Sequence, residues 1–167
     1  MTLSTLKALS MKRLLPALFA ILLSLPVLGQ TTSYDRPIHD AARTGSGDDV
    51  RKLLKADPKQ RDARTELGST PLHLAAMNPD TSALKALIAA KADPNARDND
   101  GATPLHMAAY ASRPEHVQLL LEAGADPLAK TDNGRDAGSM ARKVKADETA
   151  GVISLWILKG CKAGKPC

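Results

Sequence analysis

Aromatic side chains are nearly absent from this chain of 167 residues and make up only 2% of it. Phe19 and Tyr34 lie near the start, and the rest of the chain holds only Tyr110 and Trp156. Aromatic rings supply much of the buried volume in many cores, so a core built around several rings is excluded. Leu, Ala, Val and Ile remain to form the core, and these side chains suit thin layers of packed helices.

Familiar catalytic motifs are also missing. The sequence contains no G-x-S-x-G nucleophile elbow, no H-E-x-x-H zinc motif and no Walker loop. Its Ser, His and Asp residues follow a structural repeat described below, whereas an active site would need residues independent of that pattern. We therefore expect no enzymatic activity and no cofactor.

A strong surplus of positive charge is absent from most of the chain. The formal net charge is +5, but residues 1–29 contain Lys7, Lys12 and Arg13 and no acidic residue. Without these three the net charge falls to +2. Nucleic-acid-binding domains usually carry a pronounced basic patch, so no nucleic-acid partner is expected.

No apolar run has the length of a membrane span. The longest one is interrupted by Pro16 and Pro26, whereas a spanning helix needs roughly 20 apolar residues. We therefore expect no membrane anchor in the mature protein.

The same run has the features of an export signal. Lys12 and Arg13 precede the apolar segment, and Val27 and Gly29 provide small residues for cleavage. This arrangement predicts a cleavable signal peptide over residues 1–29, with translation starting at Met1 or Met11. The short basic region before it is typical of bacterial signals, which predicts a periplasmic or secreted product.

After the leader, one seven-residue segment occurs twice. Residues 70–76 are T-P-L-H-L-A-A, and residues 103–109 are T-P-L-H-M-A-A, 33 positions later. The triplet A-D-P at 92–94 returns at 125–127 with the same spacing. Gly68, Gly101 and Gly134 also follow this period. A fixed period of this length indicates stacked structural repeats.

The repeated T-P-L-H-x-A motif resembles that of the ankyrin-repeat family. The resemblance implies an all-α solenoid of about four helix-turn-helix repeats, with projecting loops or β-hairpins. After a lead-in at 30–35, the repeats span 36–160, in units at 36–65, 66–97, 98–130 and 131–160, and a tail follows at 161–167. Terminal repeats of solenoids are usually atypical, which fits the degraded motifs of the first and last units.

Three histidines, His39, His73 and His106, recur with the repeat. A zinc site needs three or four ligands that converge on one point, but the repeat supplies one imidazole per layer. In the ankyrin family this histidine bonds the neighbouring Thr and backbone, and we expect the same role here, with no metal.

The sequence also predicts the local structure at three other positions. Gly45 is predicted to end the first helix in a left-handed conformation. Pro79 replaces the glycine that usually follows this helix in the ankyrin family, and proline cannot adopt positive φ, so its turn should differ from the family geometry. His116 lies at a helix start and is expected at the surface.

The only two cysteines, Cys161 and Cys167, lie within the last seven residues. An even number of cysteines in an exported chain suggests a disulfide. The ring that it closes would pin the tail rather than the repeats.

The family resemblance implies a protein partner bound on the concave face of the solenoid, by a monomer. The corresponding positions form three rows: Glu66, Leu67, Ser69, Met77 and Asn78; Asn99, Asp100, Ala102, Tyr110 and Ala111; Asp132, Asn133, Arg135 and Arg142. Tyr110 would be the central aromatic anchor, or alternatively would fill a gap beside the Pro79 turn.

The predicted function is an exported protein–protein interaction module that supports or neutralises a periplasmic enzyme or toxin. The alternative is an envelope structural protein associated with lipid or cell-wall polymer. Lys159, Lys162 and Lys165 in the tail are its only support, because no basic amphipathic helix is apparent.

Overall fold

The computed structural model describes residues 36–163 and Cys167. The predicted signal peptide at 1–29, the lead-in at 30–35 and tail residues 164–166 lie outside these described residues. The four predicted repeat units fall within them.

The described part of the chain is helical and contains no strand beyond one isolated bridge between Lys130 and Asp136. Its helices are α1 (Pro37–Thr44), α2 (Gly47–Ala56), α3 (Pro71–Ala75), α4 (Thr81–Ala89), α5 (Pro104–Tyr110), α6 (Pro114–Glu122), α7 (Ala137–Lys143) and α8 (Asp147–Leu158), with a short 3₁₀ helix at Pro58–Asp62. Each predicted unit holds one pair of helices, as expected for an all-α ankyrin solenoid.

The repeated motif explains where α3 and α5 begin. Thr70 and Thr103 occupy the N-cap positions, each followed by a proline at the first helical position. Proline is favoured there because its φ angle is already helical and its missing N–H would have no partner. The backbone N–H of Thr70 donates to Nδ1 of His73 at 3.1 Å, and Thr103 makes the same bond to His106.

The helices stack in two rows. The first helix of each unit packs on the first helix of the next, and the second helices form a parallel row behind them. Small alanines and one or two large aliphatic residues per helix fill the space between the rows. The largest fully buried aliphatic side chains are Ile38, Leu72, Leu84, Leu87, Leu105, Leu120, Leu121 and Ile153.

Two local expectations were wrong. Gly45 has φ −90°, so it does not end α1 in a left-handed conformation. A Cβ there would lie 2.7 Å from the carbonyl oxygen of Ala41, so close approach explains this glycine better. His116 is 2% exposed because α6 packs its first turn against α4, where the ring lies beside the backbone of Asp80.

The tail is joined to the end of α8 by a disulfide between Cys161 and Cys167, with Cα atoms 5.3 Å apart. Cys161 packs against the core, whereas Cys167 is exposed. No helix among the described residues has the length and apolarity to cross a membrane.

Candidate protein-binding face

Between repeats, the chain forms three projecting turns with the same backbone structure. Gly68, Gly101 and Gly134 have φ of +76°, +71° and +74°. L-residues with a side chain rarely adopt this conformation, which explains the glycine at this period. In the turn containing Gly101, Asp98 N–H donates to the carbonyl of Ala102 at 2.9 Å and closes the loop.

Successive turns are bonded to one another through the backbone. Asn99 N–H donates to the carbonyl of Leu67, and Asp132 N–H donates to that of Asp100, each at 3.0 Å. Asn99 adds a side-chain bond to the carbonyl of Glu66 at 3.0 Å. The turns therefore form a continuous ridge along the stack.

The repeated histidines also connect neighbouring units. Nδ1 of His73 contacts Oγ1 of Thr70 at 2.8 Å, and its Nε2 lies 3.1 Å from the carbonyl oxygen of Ala102 in the next repeat. His106 makes the same pair of contacts, with Thr103 at 2.9 Å and the carbonyl of Arg135 at 3.0 Å. The predicted local role of these two histidines is confirmed.

Burial lowers the pKa of His73 and His106, although the hydrogen bond from each ring to a carbonyl partly opposes that shift. Burial also lowers the pKa of His116. A neutral imidazole is therefore favoured at all three positions near neutral pH. Within residues 36–163, no cluster of His, Cys, Asp or Glu could hold a metal ion.

An apolar stripe runs across the row of first helices, α1, α3, α5 and α7. We call these the front helices, and their solvent-exposed side the front face. We define it by Leu74, Met77, Met107, Tyr110 and Met140. Leu74, Met107 and Met140 are half-buried and occupy the same position in consecutive repeats, 33 residues apart. Met77 and Tyr110 occupy the next exposed position, one helical turn later, with 40% and 56% of their surface accessible. The stripe thus presents flexible thioethers and one aromatic ring to the solvent.

The stripe ends at a basic region formed by the fourth unit and by Lys130, the last residue of the third. Its exposed cationic side chains are Lys130, Arg135, Arg142, Lys143 and Lys145. Among the carboxylates of the fourth unit, Asp132 pairs with Arg97 at 3.2 Å, and Asp136 caps α7 by accepting from Ser139 N–H at 2.7 Å. Asp147 and Glu148 are exposed in the first turn of α8. The face therefore has an apolar centre and a positively charged end.

Most of the predicted binding residues are accessible on this face. Ten are exposed: Glu66, Leu67, Met77, Asn99, Asp100, Tyr110, Asp132, Asn133, Arg135 and Arg142. Ser69 and Ala111 are half-buried. Their contribution to binding stays a prediction.

Two predicted binding residues are buried, and for them the assignment was wrong. Asn78 is 4% exposed, and its Nδ2 donates to the carbonyls of Ala42 and Gly45 at 3.1 and 3.2 Å. Ala102 is 3% exposed, and its carbonyl accepts a hydrogen bond from Nε2 of His73. Both residues connect repeats and are not free to contact a partner.

The set inferred from the sequence omitted three residues of the stripe: Leu74, Met107 and Met140. The signal was present, because these residues stand at equal steps of 33 positions. It was hidden because an apolar residue within a repeat motif is normally assigned to the core.

Comparison with protein-family models identifies the repeats. A family model described as ankyrin repeats in three copies matches residues 38–131. No curated protein matches the chain.

Proposed function

The chain belongs to the ankyrin-repeat family, whose repeats form protein–protein interaction modules, and we propose that it binds a protein partner through the apolar stripe. The observation that carries this proposal is the exposure of Met77 and Tyr110 at the centre of the front face. Neither side chain packs against the hydrophobic core.

The chemistry of the stripe suits a partner with an apolar anchor. Methionine side chains are flexible and polarisable, and they adapt to differently shaped apolar groups. A tyrosine provides a large contact area at low cost in conformational entropy, and aromatic residues often dominate interface energies. Glu66, Asn99 and Asp100 supply polar groups on the neighbouring ridge.

The basic end of the face adds a second requirement. Several exposed cations next to the stripe attract negative charge on the partner and speed up its association. We therefore propose a partner segment with apolar anchors and acidic residues at one end. The segment would belong to an enzyme or toxin that this protein supports or neutralises.

Export is part of the proposal, because the leader and the paired cysteines suit an oxidising compartment such as the periplasm. Mass spectrometry of the protein from its native host should show a mature N-terminus within a few residues of Gln30. An intact leader on cytoplasmic protein would contradict this localisation.

The partner can be isolated by affinity capture from an envelope extract, with mass spectrometry to identify it. Titration calorimetry with that partner then tests the face. Tyr110→Ala should weaken binding at least about tenfold, the loss expected for a central aromatic anchor. Lys55→Ala, on the second row of helices, is the control and should leave the affinity unchanged.

Thermal melts of both variants complete this test. Because Tyr110 is 56% exposed, Tyr110→Ala should retain the wild-type melting temperature. Unchanged affinity would remove the front face from the proposal. Lost affinity together with a much lower melting temperature would show that Tyr110 serves packing beside the Pro79 turn.

A further inference from the structure

The two ends of the helix stack have different surfaces. On α2, at the first end, the exposed residues are Asp48, Asp49, Arg51, Lys52, Lys55 and Ala56. On α8, at the last end, they are Asp147, Glu148, Gly151, Ser154, Leu155, Ile157 and Leu158. Terminal repeats of a solenoid normally present a polar outer surface, because no further repeat covers them. The first end meets this requirement, and the middle and last turns of α8 do not.

Large aliphatic side chains are concentrated at this last end. Leu155 is 49% exposed, Ile157 43% and Leu158 84%, and Leu128 on the adjoining loop is 63% exposed. These four are most of the exposed large hydrophobic residues in the described chain; the other three, Leu67, Met77 and Tyr110, lie on the front face. We call the four residues the end patch. Leu155 and Leu158 lie one turn apart on α8, and Ile157 lines a surface pocket together with Leu128. Exposed apolar side chains grouped in this way often mark an interaction site.

The charges of α8 indicate what covers the end patch. Asp147 and Glu148 stand in its first turn, after Lys143 and Lys145 of the preceding segment, and Lys159 and Lys162 follow its C-terminus. When a second α8 lies antiparallel to the first, each acidic end faces the basic end of the other copy. A twofold axis creates this pairing twice and closes the assembly at two chains.

The middle of α8 has room for that contact. Gly151 is exposed, and a Cβ placed on it would meet no atom within 4 Å. An axis midway between Ser154 and Leu155 would bring Leu158 of one copy over Gly151 of the other. The absent side chain then lets the two helices approach closely and gives the most exposed leucine a place to pack.

The opposite arrangement, last end to first end, lacks this complementarity. It would set the end patch against the charged side chains of α2, burying carboxylates and ammonium groups against leucines. Burial of a charge without a partner is strongly unfavourable. Such a head-to-tail contact would also propagate into a filament rather than close.

We propose that the protein forms a twofold dimer in which the two α8 helices pack antiparallel through the end patch. This inference is independent of the partner proposed for the front face and departs from the monomer that the family resemblance implies. The contact centres on one helix from each copy, so it belongs among small, weak interfaces. It should therefore be measured up to several hundred µM, on the order of the Kd expected for such a contact.

Sedimentation equilibrium of the purified protein should show twice its monomer mass at high concentration. That mass is 17.7 kDa for the full chain and is lower by the mass of the leader once residues 1–29 are removed. Gly151→Gln is the decisive variant, because its side chain enters open space in the monomer but fills the place of Leu158 in the dimer. Replacing a helical glycine favours the helix, so this variant should melt no lower than wild type and yet remain monomeric. Leu67→Gln, at a residue 72% exposed on the front face, is the matched control and should dimerise normally.

A charge swap tests the orientation. One variant carries Asp147→Lys and Glu148→Lys, and the other carries Lys159→Glu and Lys162→Glu. Each alone places like charges opposite each other and should dimerise at least about tenfold more weakly. An equimolar mixture restores both complementary pairs and should form mixed dimers of wild-type affinity.

Three results would overturn the proposal. One is a monomer at every concentration. Another is a Gly151→Gln variant that dimerises as wild type does. The third is a failure of the mixed charge variants to associate more strongly than each variant alone, which would rule out the antiparallel contact.

Discussion

The third and fourth repeats have the same order of turn and helices, but they differ at the positions that contact a following repeat. A Cβ on Gly101 would collide with the carboxylate of Asp132 in the next turn, whereas one on Gly134 would meet no atom within 4 Å. His106 reaches the carbonyl of Arg135 in the next unit, whereas the fourth unit has Ser139 at the equivalent position and caps its helix with Asp136 instead. Contacts between repeats are therefore built into the inner units and omitted where the stack ends.

The comparison also shows how the last unit differs from a simple cap. Its turn and its first helix have lost the features that would engage another repeat. Its second helix, α8, has kept an apolar surface at Leu155 and Leu158. The fourth unit thus ends the ridge of turns while leaving its helical end suited to another molecule.

The largest expected effect is on the core between inner repeats. Leu105 is fully buried, and Leu105→Ala should lower the free energy of unfolding by about 2–5 kcal/mol, the usual range for a buried leucine. Leu158→Ala, at a residue 84% exposed in the last unit, should change it by less than about 0.5 kcal/mol. Urea unfolding of dilute samples measures both, and equal losses would mean that the repeat register is wrong.

A smaller effect is expected at the turns. Gly101→Ala and Gly134→Ala both place a side chain at positive φ, at a cost of about 1–2 kcal/mol. Only Gly101→Ala also crowds the carboxylate of Asp132 and the guanidinium of Arg97, whose exposed ion pair must then shift. Its loss in unfolding free energy should therefore exceed that of Gly134→Ala by less than about 1 kcal/mol, the value of an exposed ion pair. A larger loss for Gly134→Ala would contradict this order.

The pH dependence of stability should also differ between the inner repeats and the ends. Burial lowers the pKa of His73, His106 and His116 below the ordinary value for histidine, about 6.5. The unfolded chain therefore binds protons more tightly at these sites than the folded chain does. Their contribution to stability is complete above about pH 6.5 and falls as the pH drops toward the folded-state values.

Thermal melts between pH 8 and pH 5 measure this loss. His106→Asn should reduce the slope of melting temperature against pH, because it removes one of the three histidines whose protonation is linked to unfolding. The capping carboxylates Asp49, Asp80 and Asp136 have lowered pKa values through their hydrogen bonds to serine. Their contributions are lost only below their unfolded values, in a separate and more acidic window. A flat profile between pH 8 and pH 5 would contradict the role of the buried histidines.

Much of the fold can be predicted from the sequence because the same motif occurs in two repeats. Thr70, Pro71 and His73 reappear as Thr103, Pro104 and His106, and each copy supports the same local hydrogen bonds. The periodicity also located the exposed Tyr110 on the front helices. Local chemistry and spacing were sufficient for these features.

The parts that sequence did not reveal depend on contacts between repeats. Asn78 is buried because its amide donates to two carbonyls of the preceding unit, a bond between residues far apart in the chain. His116 is buried because α6 sets its first turn against α4. Neither residue type nor helical periodicity specifies these partners, since both side chains suit a solvent-exposed turn equally well.

The smallest effect is expected at the tail, which lies beyond the last repeat. The Cys161–Cys167 disulfide closes a short ring that encloses no repeat. In the chain-entropy model such a ring contributes at most about 2 kcal/mol. Cys167→Ser should therefore barely change the melting temperature of the domain. The fluorescence of Trp156, the only tryptophan, should nevertheless respond, because Cys167 and Trp156 line the same surface pocket. A fall in melting temperature of more than about 8 °C, equivalent to roughly 1–2 kcal/mol in a domain of this size, would mean that the tail stabilises the last repeat and that the stack does not end at α8.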